Sequence, residues 1–529
     1  MTTEDQATAD PVRRQIESRR PFASSMIWRL QHRYFAERGV EAWRQGEVPH
    51  YVTSNLTIAN AYAEIVLALR RDRDRLCPGE QTKEPLTIVE LGAGSGRFAF
   101  HFLKRLAALC ADAEVAPETF RYVLTDVADA NLDFWRRHPC FEPLFASGVL
   151  DMARLDLTQP EPLALRVSGA TIAAATLRGP LVVIANYVFD SVPQDLFRLR
   201  DGHAQQCLVS LSLDADPATL DVAETLARLR VDYDYADIDE APYPEPWLRR
   251  LLADYQSTLR DTHLLFPATG LRCLEYLASL SRQGLLLLSA DKGEHRLPAL
   301  DGRLAPGLVR HGSVSLPVNY HALTQLRAQP EAVVLVPDSH HNSIDVIGLL
   351  SLPDAASHHQ TQDAYRRHVR EFGPDAFYSI TKHALRAVPL MSTEDILAYL
   401  RLSRHDSHQF ARYLPRLREL AAEFDDTIRA DVIAAIDKVW ETYFPLGEDL
   451  DLANGIAGLL YAMDEFALAL GFFKRSIAIY GRDTGTLCNM AACHHMLDQD
   501  AQAAALLRTV LAYDPANQGA AELAARLAP

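Results

Sequence analysis

A glycine-rich turn directly after an apolar run is the feature that most restricts the fold of this chain. The run Leu86-Thr87-Ile88-Val89-Glu90 has the composition of a buried strand, and it leads into Leu91-Gly92-Ala93-Gly94-Ser95-Gly96. A helical pattern over 97–110 follows at once. Glycine lets the backbone turn sharply and approach a ligand without a clash from a Cβ atom. The segment therefore predicts the first strand–turn–helix unit of a parallel α/β sheet.

Further apolar runs continue the alternation of strands and helices. Additional strands are expected at 121–125, 152–155, 180–185, 284–290, and as an antiparallel pair at 332–336 and 344–350. This order implies a doubly wound sheet, so the predicted fold class is α/β. An insertion after the fourth strand, 197–270, contains a predicted hairpin and an acidic, tyrosine-rich segment around 232–246. Insertions there lie beyond the carboxyl edge of the sheet, where such folds bind ligands, so we expect a substrate lid.

The regions on either side of this sheet have helical patterns. Residues 1–85 are predicted as a helical segment that packs on an α/β domain spanning 86–352. Strand signals end after Pro353, and 353–450 is predicted as a helical connector. With 529 residues the chain is too long for one hydrophobic core, in agreement with several domains.

Residues 451–529 contain an internal repeat. The apolar and small residues Ala457, Ala469, Phe473 and Ser476 recur 34 positions later as Ala491, Ala503, Leu507 and Val510. A period of this length, with small residues where helices cross, resembles tetratricopeptide repeats. We expect an all-α C-terminal domain whose stacked helices bind a protein or peptide partner. A generic helical bundle is the alternative.

Charge and cysteine usage exclude several classes of function. A formal charge of −16 opposes general binding to nucleic acid or to an anionic membrane surface. No apolar run approaches the length of a membrane span, and the N-terminus has no secretory pattern. The seven cysteines and the clustered histidines show no metal-ligand spacing, so we expect no metal and a cytoplasmic location. The oligomeric state stays open.

The glycine spacing separates two kinds of nucleotide site. A dinucleotide site requires G-x-G-x-x-G, because the pyrophosphate rests on the helix N-terminus, and here Arg97 takes the third glycine position. That disfavours a nicotinamide oxidoreductase. The pattern G-x-G-x-G after Glu90 instead resembles the first motif of class I methyltransferases, whose cofactor is S-adenosylmethionine. The resemblance implies that Glu90 orients the amino-acid end of the cofactor and that Gly92, Gly94 and Gly96 line it.

Two more acids follow predicted strands. Asp126 ends the second strand, where a carboxylate can accept hydrogen bonds from both ribose hydroxyls of a nucleoside. Asp156 follows the third strand, where a class I methyltransferase commonly meets the adenine amino group. Either residue could instead cap a helix or lie in a solvated loop.

Three spaced runs resemble the MidA-like methyltransferase family, whose mitochondrial members assist respiratory complex assembly. The runs are Tyr51–Asn55, Glu90–Gly96 and Ala185–Pro193, with Ala290–Gly293 and Val318–Leu323 as later landmarks. The resemblance extends over roughly residues 30–352 and omits the helical tail. It implies that Thr53 and Ser54 border the cofactor, with turn capping as the alternative.

The best-described activity of that family is methylation of arginine in a protein. Guanidinium nitrogens are poor nucleophiles until a carboxylate localises the charge or takes a proton. Tyr187 stands where the family has a glutamate, whereas Asp190 matches the family's aspartate. We expect Asn186 to accept a hydrogen bond from the substrate nitrogen, Tyr187 to offer an aromatic wall, and Asp190 to hold a cationic substrate. Packing for Tyr187 and a helix start for Asp190 are the alternatives.

These patterns predict an S-adenosylmethionine-dependent methyltransferase that acts on a side-chain nitrogen of a protein or peptide, with arginine among the candidates. Two other functions are alternatives. One is a non-catalytic scaffold with a vestigial cofactor-binding domain, suggested by Tyr187. The other is a small-molecule methyltransferase with the insertion as its pocket.

Overall fold

The computed structural model describes residues 13–78, 84–238, 242–326, 331–340 and 343–527. The chain divides into two compact units, Met1–Ala376 and Phe377–Pro529. The described strands all belong to the first unit: β1 Arg14–Pro21, β2 Leu86–Leu91, β3 Phe120–Asp126, β4 Leu150–Arg154, β5 Leu163–Ala164, β6 Thr171–Ile172, β7 Leu181–Asn186, β8 Asp195–Arg200, β9 His203–Leu213, β10 Arg230–Asp237, β11 Asp261–Phe266, β12 Leu285–Asp291, β13 Gly293–Glu294, β14 Val309–His311, β15 Ser313–Ser315, β16 Val318–Asn319, β17 Val333–Leu335 and β18 Asp345–Ser351.

The main sheet is the one that the sequence predicts. Its described strands run in the order β17-β18-β12-β7-β2-β3-β4. Strands β4, β3, β2, β7 and β12 are parallel, and β18 and β17 add antiparallel partners at one edge. Each lies within two residues of its predicted bounds, which confirms the doubly wound α/β fold class. Since the chain leaves β2 toward β3 and later returns to β7, a crevice opens at the carboxyl end of β2.

Helices cover this sheet. In the first unit they are α1 Met26–Arg38, α2 Glu41–Arg44, α3 Tyr51–Ser54, α4 Leu56–Leu76, α5 Arg97–Asp112, α6 Asp129–Arg137, α7 Glu142–Ala146, α8 Val222–Arg228, α9 Pro246–Thr258, α10 Ala268–Ser279, α11 Tyr320–Leu323 and α12 His359–Tyr365. Val89, Val183 and Leu287 of the sheet share a core with α9 and α10. Tyr51–Leu76 is long and apolar enough to cross a membrane, but 89% of its most apolar window is buried in the fold, as in a core helix.

The predicted insertion forms a second sheet. Strands β1-β9-β8-β11 lie side by side, and β10 also pairs with β9. The predicted hairpin is present as β8 and β9. Within the acidic segment 232–246, β10 contains the first residues, while 239–241 lie outside the described part of the chain. The role of this insertion as a substrate lid stays a prediction.

The prediction that residues 1–85 form a helical segment is wrong at one place. Arg14–Pro21 is a strand that pairs antiparallel with β9, while residues 1–12 lie outside the described ranges. Four of its eight residues are charged, its pairing with β9 is irregular at two points, and Arg19 has a positive φ. No alternation of apolar residues marks such a strand, because cross-strand hydrogen bonds rather than a buried face hold it. Tyr51–Ser54, within the first of the three family-like runs, is a short helix, α3.

The second unit is helical in its described residues. Its helices are α13 Pro374–Ala387, which begins in the first unit, α14 Thr393–Leu402, α15 Ser407–Leu420, α16 Asp426–Glu441, α17 Leu452–Ala462, α18 Phe466–Tyr480, α19 Thr484–Met496, α20 Asp500–Tyr513 and α21 Gln518–Arg526. The predicted connector 353–450 is not a separate body, since its first part joins the first unit and the rest shares the core of the second. The boundaries predicted at 352 and 450 therefore differ from those of the compact units.

The repeat of 34 residues corresponds to two consecutive helix pairs. Helices α17 and α18 pack together, as do α19 and α20. The eight residues of the repeat are all at most 1% exposed: Ala457, Ala469, Phe473, Ser476, Ala491, Ala503, Leu507 and Val510. Small residues at equivalent crossings explain the period. Assignment to the tetratricopeptide class stays a prediction.

Candidate cofactor and methyl-transfer site

The glycine turn is held to the end of β3. Gly92, Gly94 and Gly96 have φ values of +58°, +54° and +78°, which residues with a Cβ atom rarely adopt. The Gly94 N–H donates to Asp126 Oδ2 at 3.0 Å, and the Gly94 carbonyl accepts from the Trp135 indole N–H at 3.0 Å. The turn is thus a rigid backbone surface at the carboxyl edge of the sheet.

A crevice lies beside this turn. It consists of two cavities of about 110 and 150 Å³, one containing Glu90 and the other Asp126. We refer to them as the Glu90 half and the Asp126 half. Both are lined by the same five residues: Phe35, Trp43, Gly92, Tyr187 and Ser191. The shared wall shows that the two cavities are halves of one crevice.

The structure brings most predicted site residues to this crevice. The Glu90 half contains Thr53, Ser54, Glu90, Gly92, Gly94, Asn186, Tyr187 and Asp190. The Asp126 half contains Asp126 and Asp156, again with Gly92 and Tyr187. Gly96 differs from its prediction: a Cβ atom there would lie 2.9 Å from the ring of Phe141. The missing side chain at Gly96 serves helix packing.

Glu90 is a buried acid at the end of β2. Its side chain accepts a hydrogen bond from the Tyr122 hydroxyl at 2.9 Å. Burial raises the pKa of Glu90 to about 8; the Tyr122 hydrogen bond opposes this shift and nearby Asp126 adds to it. A carboxyl group in this state is mostly protonated at neutral pH and ionises readily when a cation arrives beside it.

Asp126 and Asp156 both hold backbone as well as lining the crevice. Asp126 accepts the N–H groups of Gly94 and Ala128 through its two oxygens, at 3.0 and 2.9 Å. Asp156 Oδ1 accepts the N–H and hydroxyl of Thr158 at 2.8 and 2.7 Å. Neither caps a helix, since α6 begins after Ala128 without a side-chain cap and a turn rather than a helix follows Asp156. A carboxylate has about four acceptor sites, so Asp156 retains capacity for a nucleoside donor. Asp126 also receives hydrogen bonds from Asn131 and the Val127 N–H, so a nucleoside hydroxyl there would replace one of its present donors.

Thr53, Ser54 and Asn186 connect the N-terminal helices to the sheet. The Thr53 and Ser54 hydroxyls donate to the His50 carbonyl at 3.3 and 2.8 Å, which is the turn-capping role. The Asn186 amide donates to the Thr53 carbonyl at 3.2 Å and accepts from the Tyr62 hydroxyl at 3.1 Å. Asn186 is therefore primarily a positioning residue, in contrast to the predicted acceptor of a substrate nitrogen.

Tyr187 stands directly after β7 with a φ of +51°. This conformation is strained for a bulky residue, and such strain is concentrated at functional sites. Its N–H donates to the Ala290 carbonyl at 3.0 Å, so the end of β12 holds the turn in place. The ring lines both halves of the crevice, as expected of an aromatic wall.

Asp190 lies against a second buried carboxyl group, Asp291. The Asp190 N–H donates to Asp291 Oδ2 at 3.3 Å, and the Asp190 carboxylate accepts the Ser191 hydroxyl at 2.8 Å. Burial raises the pKa of Asp190 to about 6, opposed by the Ser191 hydrogen bond and the Lys292 charge. Burial and the charge of Asp190 hold the pKa of Asp291 well above its usual range. Ionisation of both carboxyl groups of the pair at once is therefore disfavoured. The helix-start alternative is wrong, because residues 191–194 are a bend before β8.

Sequence reasoning misses four residues of this site: Phe35, Trp43, Asp291 and Lys292. Asp291 ends β12, whose parallel register places Ala290 beside Asn186 of β7. An acid at the end of a neighbouring predicted strand is a usable signal. Phe35 and Trp43 come from α1 and α2 and carry no motif. Among the residues that the structure describes, no group of His, Cys, Asp and Glu has the arrangement of a metal site.

The carboxyl groups in the crevice suit a nucleoside attached to a cationic amino-acid portion. Glu90 offers a carboxyl group at one end, Asp126 and Asp156 offer acceptors at the other, and the bare backbone of Gly92 and Gly94 lies between. These residues fit S-adenosylmethionine, whose sulfonium separates its amino-acid and nucleoside portions.

Comparison with known proteins agrees with this chemistry. Residues 57–295 match the model of a family described as "Putative S-adenosyl-L-methionine-dependent methyltransferase". No curated protein matches the chain.

Three solved structures are similar to this chain. An uncharacterised protein from Burkholderia thailandensis is 15% identical with a TM-score of 0.40, over 64% of this chain and 90% of that one. A second protein from the same organism, described as a "likely methyl transferase" and bound to S-adenosyl-homocysteine, is 16% identical with a TM-score of 0.36, over 60% and 74%. The CurJ carbon methyltransferase is 11% identical with a TM-score of 0.23, over 61% and 66%.

The family match contains the glycine turn and the acids Asp126, Asp190 and Asp291. The matched segment, residues 57–295, is therefore of the S-adenosylmethionine-dependent methyltransferase type, and S-adenosylmethionine is its cofactor.

Proposed function

We propose that this methyltransferase acts on a side-chain nitrogen of a protein or peptide, with Asp190 as its general base. The observation that carries the proposal is Asp190 on the crevice wall, backed by the fully buried Asp291 and with Lys292 in the same half. A nitrogen acceptor loses one proton for each methyl group it gains, so a carboxylate within reach has a defined task.

Each residue of the pair has its own role. When bound, the cofactor supplies a methyl group made electrophilic by the sulfonium. Asp190 accepts a hydrogen bond from the acceptor N–H and takes its proton as the new N–C bond forms and the S–C bond breaks. Asp291 stays neutral beside it and accepts the Asp190 N–H, which fixes the backbone that presents the base. At the carboxyl end of β7, Tyr187 bonds the Ala290 carbonyl of β12 and Asn186 bonds the Thr53 carbonyl of α3, which fixes the backbone before Asp190.

Arginine is one candidate acceptor, in line with the resemblance to MidA-like enzymes. The family's glutamate is Tyr187 here, and burial and the charge of Asp190 hold the pKa of the neighbouring carboxyl group, Asp291, well above its usual range. One ionised carboxylate remains at this edge, which suits an amine at least as well as a guanidinium.

The second unit supplies the support for a polypeptide partner. Its helices α17–α20 form two pairs at a period of 34 residues, and the unit exposes the large side chains of Leu390, Leu450, Met496 and Tyr513. Repeated helix pairs commonly bind peptides on an extended face. We also propose a cytoplasmic location, because the seven cysteines are all unpaired thiols, as in a reducing compartment.

A labelling experiment tests this function. The full chain is incubated with S-adenosylmethionine labelled in its methyl group and with cell extract, and we expect label in polypeptides. Asp190→Asn should remove the label, whereas the exposed Asp201→Asn serves as the matched control and should retain it. Label confined to small molecules would favour a small-molecule methyltransferase. Absence of label despite cofactor binding would favour the scaffold.

A further inference from the structure

An aromatic pair stands across the middle of the crevice. Phe35 of α1 and Trp43 of α2 are stacked, with ring centroids 6.1 Å apart and planes 24° apart. The indole lies directly on the glycine turn: a Cβ atom on Gly94 would be 2.6 Å from Trp43 Cζ2. Both rings line the Glu90 half and the Asp126 half. A ligand that extends from one half to the other must therefore pass this pair.

We propose that Phe35 and Trp43 complete the cofactor site and that the Trp43 ring makes the site prefer S-adenosylmethionine over S-adenosylhomocysteine. This inference rests on the proposed methyltransferase function. The sulfonium joins the amino-acid and nucleoside portions of the cofactor, so a cofactor that spans both halves has its cation at the position of the pair. Neither residue lies within the matched segment 57–295.

The physical basis is the attraction between a cation and an aromatic face. Indole is the strongest of the natural side chains in this interaction, and desolvation strengthens it. Trp43 is half-buried, so its ring is partly shielded from water. The product S-adenosylhomocysteine keeps the same atoms apart from the methyl group but lacks the sulfonium charge. Loss of the Trp43 ring should therefore lower the affinity for the cofactor more than the affinity for the product.

Stacking assigns separate roles to the two rings. Phe35 lies nearly parallel to Trp43 and orients it. The ring now rests against Gly94, so we expect it to leave that position when the crevice fills. A tryptophan that changes its surroundings on binding changes its emission, which gives a readout that is independent of methyl transfer.

Calorimetric titration of the full chain with each ligand provides the test. Trp43→Leu should lower the affinity for S-adenosylmethionine about tenfold and the affinity for S-adenosylhomocysteine clearly less. Trp43→Phe should give an intermediate loss of affinity. Phe35→Leu should weaken both ligands modestly. Trp247→Phe is the matched control, since Trp247 packs against the core of the first unit, and its affinities should equal those of the wild type.

Fluorescence provides the second arm. Wild type and Trp247→Phe should both change emission when S-adenosylhomocysteine is added. Trp43→Phe should show a clearly smaller change, which comes from Trp28 in the Asp126 half and from Trp135 beside the glycine turn. Equal loss of both ligands in Trp43→Leu, or an unchanged emission response in Trp43→Phe, would overturn the inference while leaving the methyltransferase assignment intact. A wild-type chain that binds neither ligand would instead overturn the function on which it rests.

Discussion

Asp190→Asn is expected to lower methyl transfer by about 10²–10⁴-fold while leaving the affinity for S-adenosylhomocysteine nearly unchanged, because only the proton acceptor is lost. The amide keeps the shape of the side chain and can still accept the Ser191 hydroxyl. Transfer of labelled methyl to the polypeptide acceptor measures the rate, and calorimetry measures binding. Equal loss of rate and of binding would show that Asp190 holds the cofactor rather than acting as a base.

The pH dependence of the rate tests the role of Asp190 as a general base. A general base must be ionised, so the wild-type rate should fall as the pH drops through about 6, the raised pKa of Asp190. The charge of Lys292 lowers that pKa, so Lys292→Met should move the fall to higher pH. Asp291→Asn resembles the protonated form of Asp291 and should keep the fall near its original place. A rate that does not depend on pH between 5 and 8 in all variants would contradict the assignment.

Glu90→Gln is expected to change the pH dependence of stability by up to about 5 kcal/mol. Burial raises the pKa of Glu90 from 4.5 to about 8, so the folded state binds this proton more tightly than the unfolded state does. The associated stability is complete below pH 4.5 and is lost as the pH rises through about 8. The glutamine variant does not ionise. It should therefore match the wild type near pH 5 and unfold at higher temperature than the wild type near pH 9.

Binding of the cofactor should also release the proton of Glu90. A cation beside Glu90 favours the carboxylate, so binding of S-adenosylmethionine at pH 7 should release most of a proton from the wild type and none from Glu90→Gln. Calorimetry in buffers of different ionisation enthalpy measures this release. Thr87→Val is the control, because Thr87 is also buried on β2 but does not titrate, and this variant should release the proton as the wild type does. Identical proton release in wild type and Glu90→Gln would mean that the acid does not face the cofactor.

The parts of the site that the sequence predicts are those set by local patterns. An apolar run, three glycines and an acid at each strand end locate Glu90, Gly94 and Asp126 to within a residue, because parallel strands bring their carboxyl ends to one edge. The repeat in the second unit is likewise visible, since identical helix crossings demand small residues at equal intervals.

Other parts depend on contacts between distant segments. Strand β1 is charged and irregular, so nothing in Arg14–Pro21 indicates that it pairs with β9. Asn186 looks like a reactive amide in sequence, and only the approach of Tyr62 and Thr53 shows that it holds helices in place. Trp43 belongs to a four-residue helix with no periodic pattern, and its place on Gly94 follows from how α1 and α2 pack.

The central claim is that S-adenosylmethionine lies along the crevice between Glu90 and Asp126. The most direct test is a crystal structure of the full chain grown with saturating S-adenosylhomocysteine. We expect the nucleoside in the Asp126 half, the amino-acid portion beside Glu90, and the Trp43 ring moved from Gly94 onto the ligand. A structure with Trp43 still on Gly94 and the ligand absent from both halves would contradict the account.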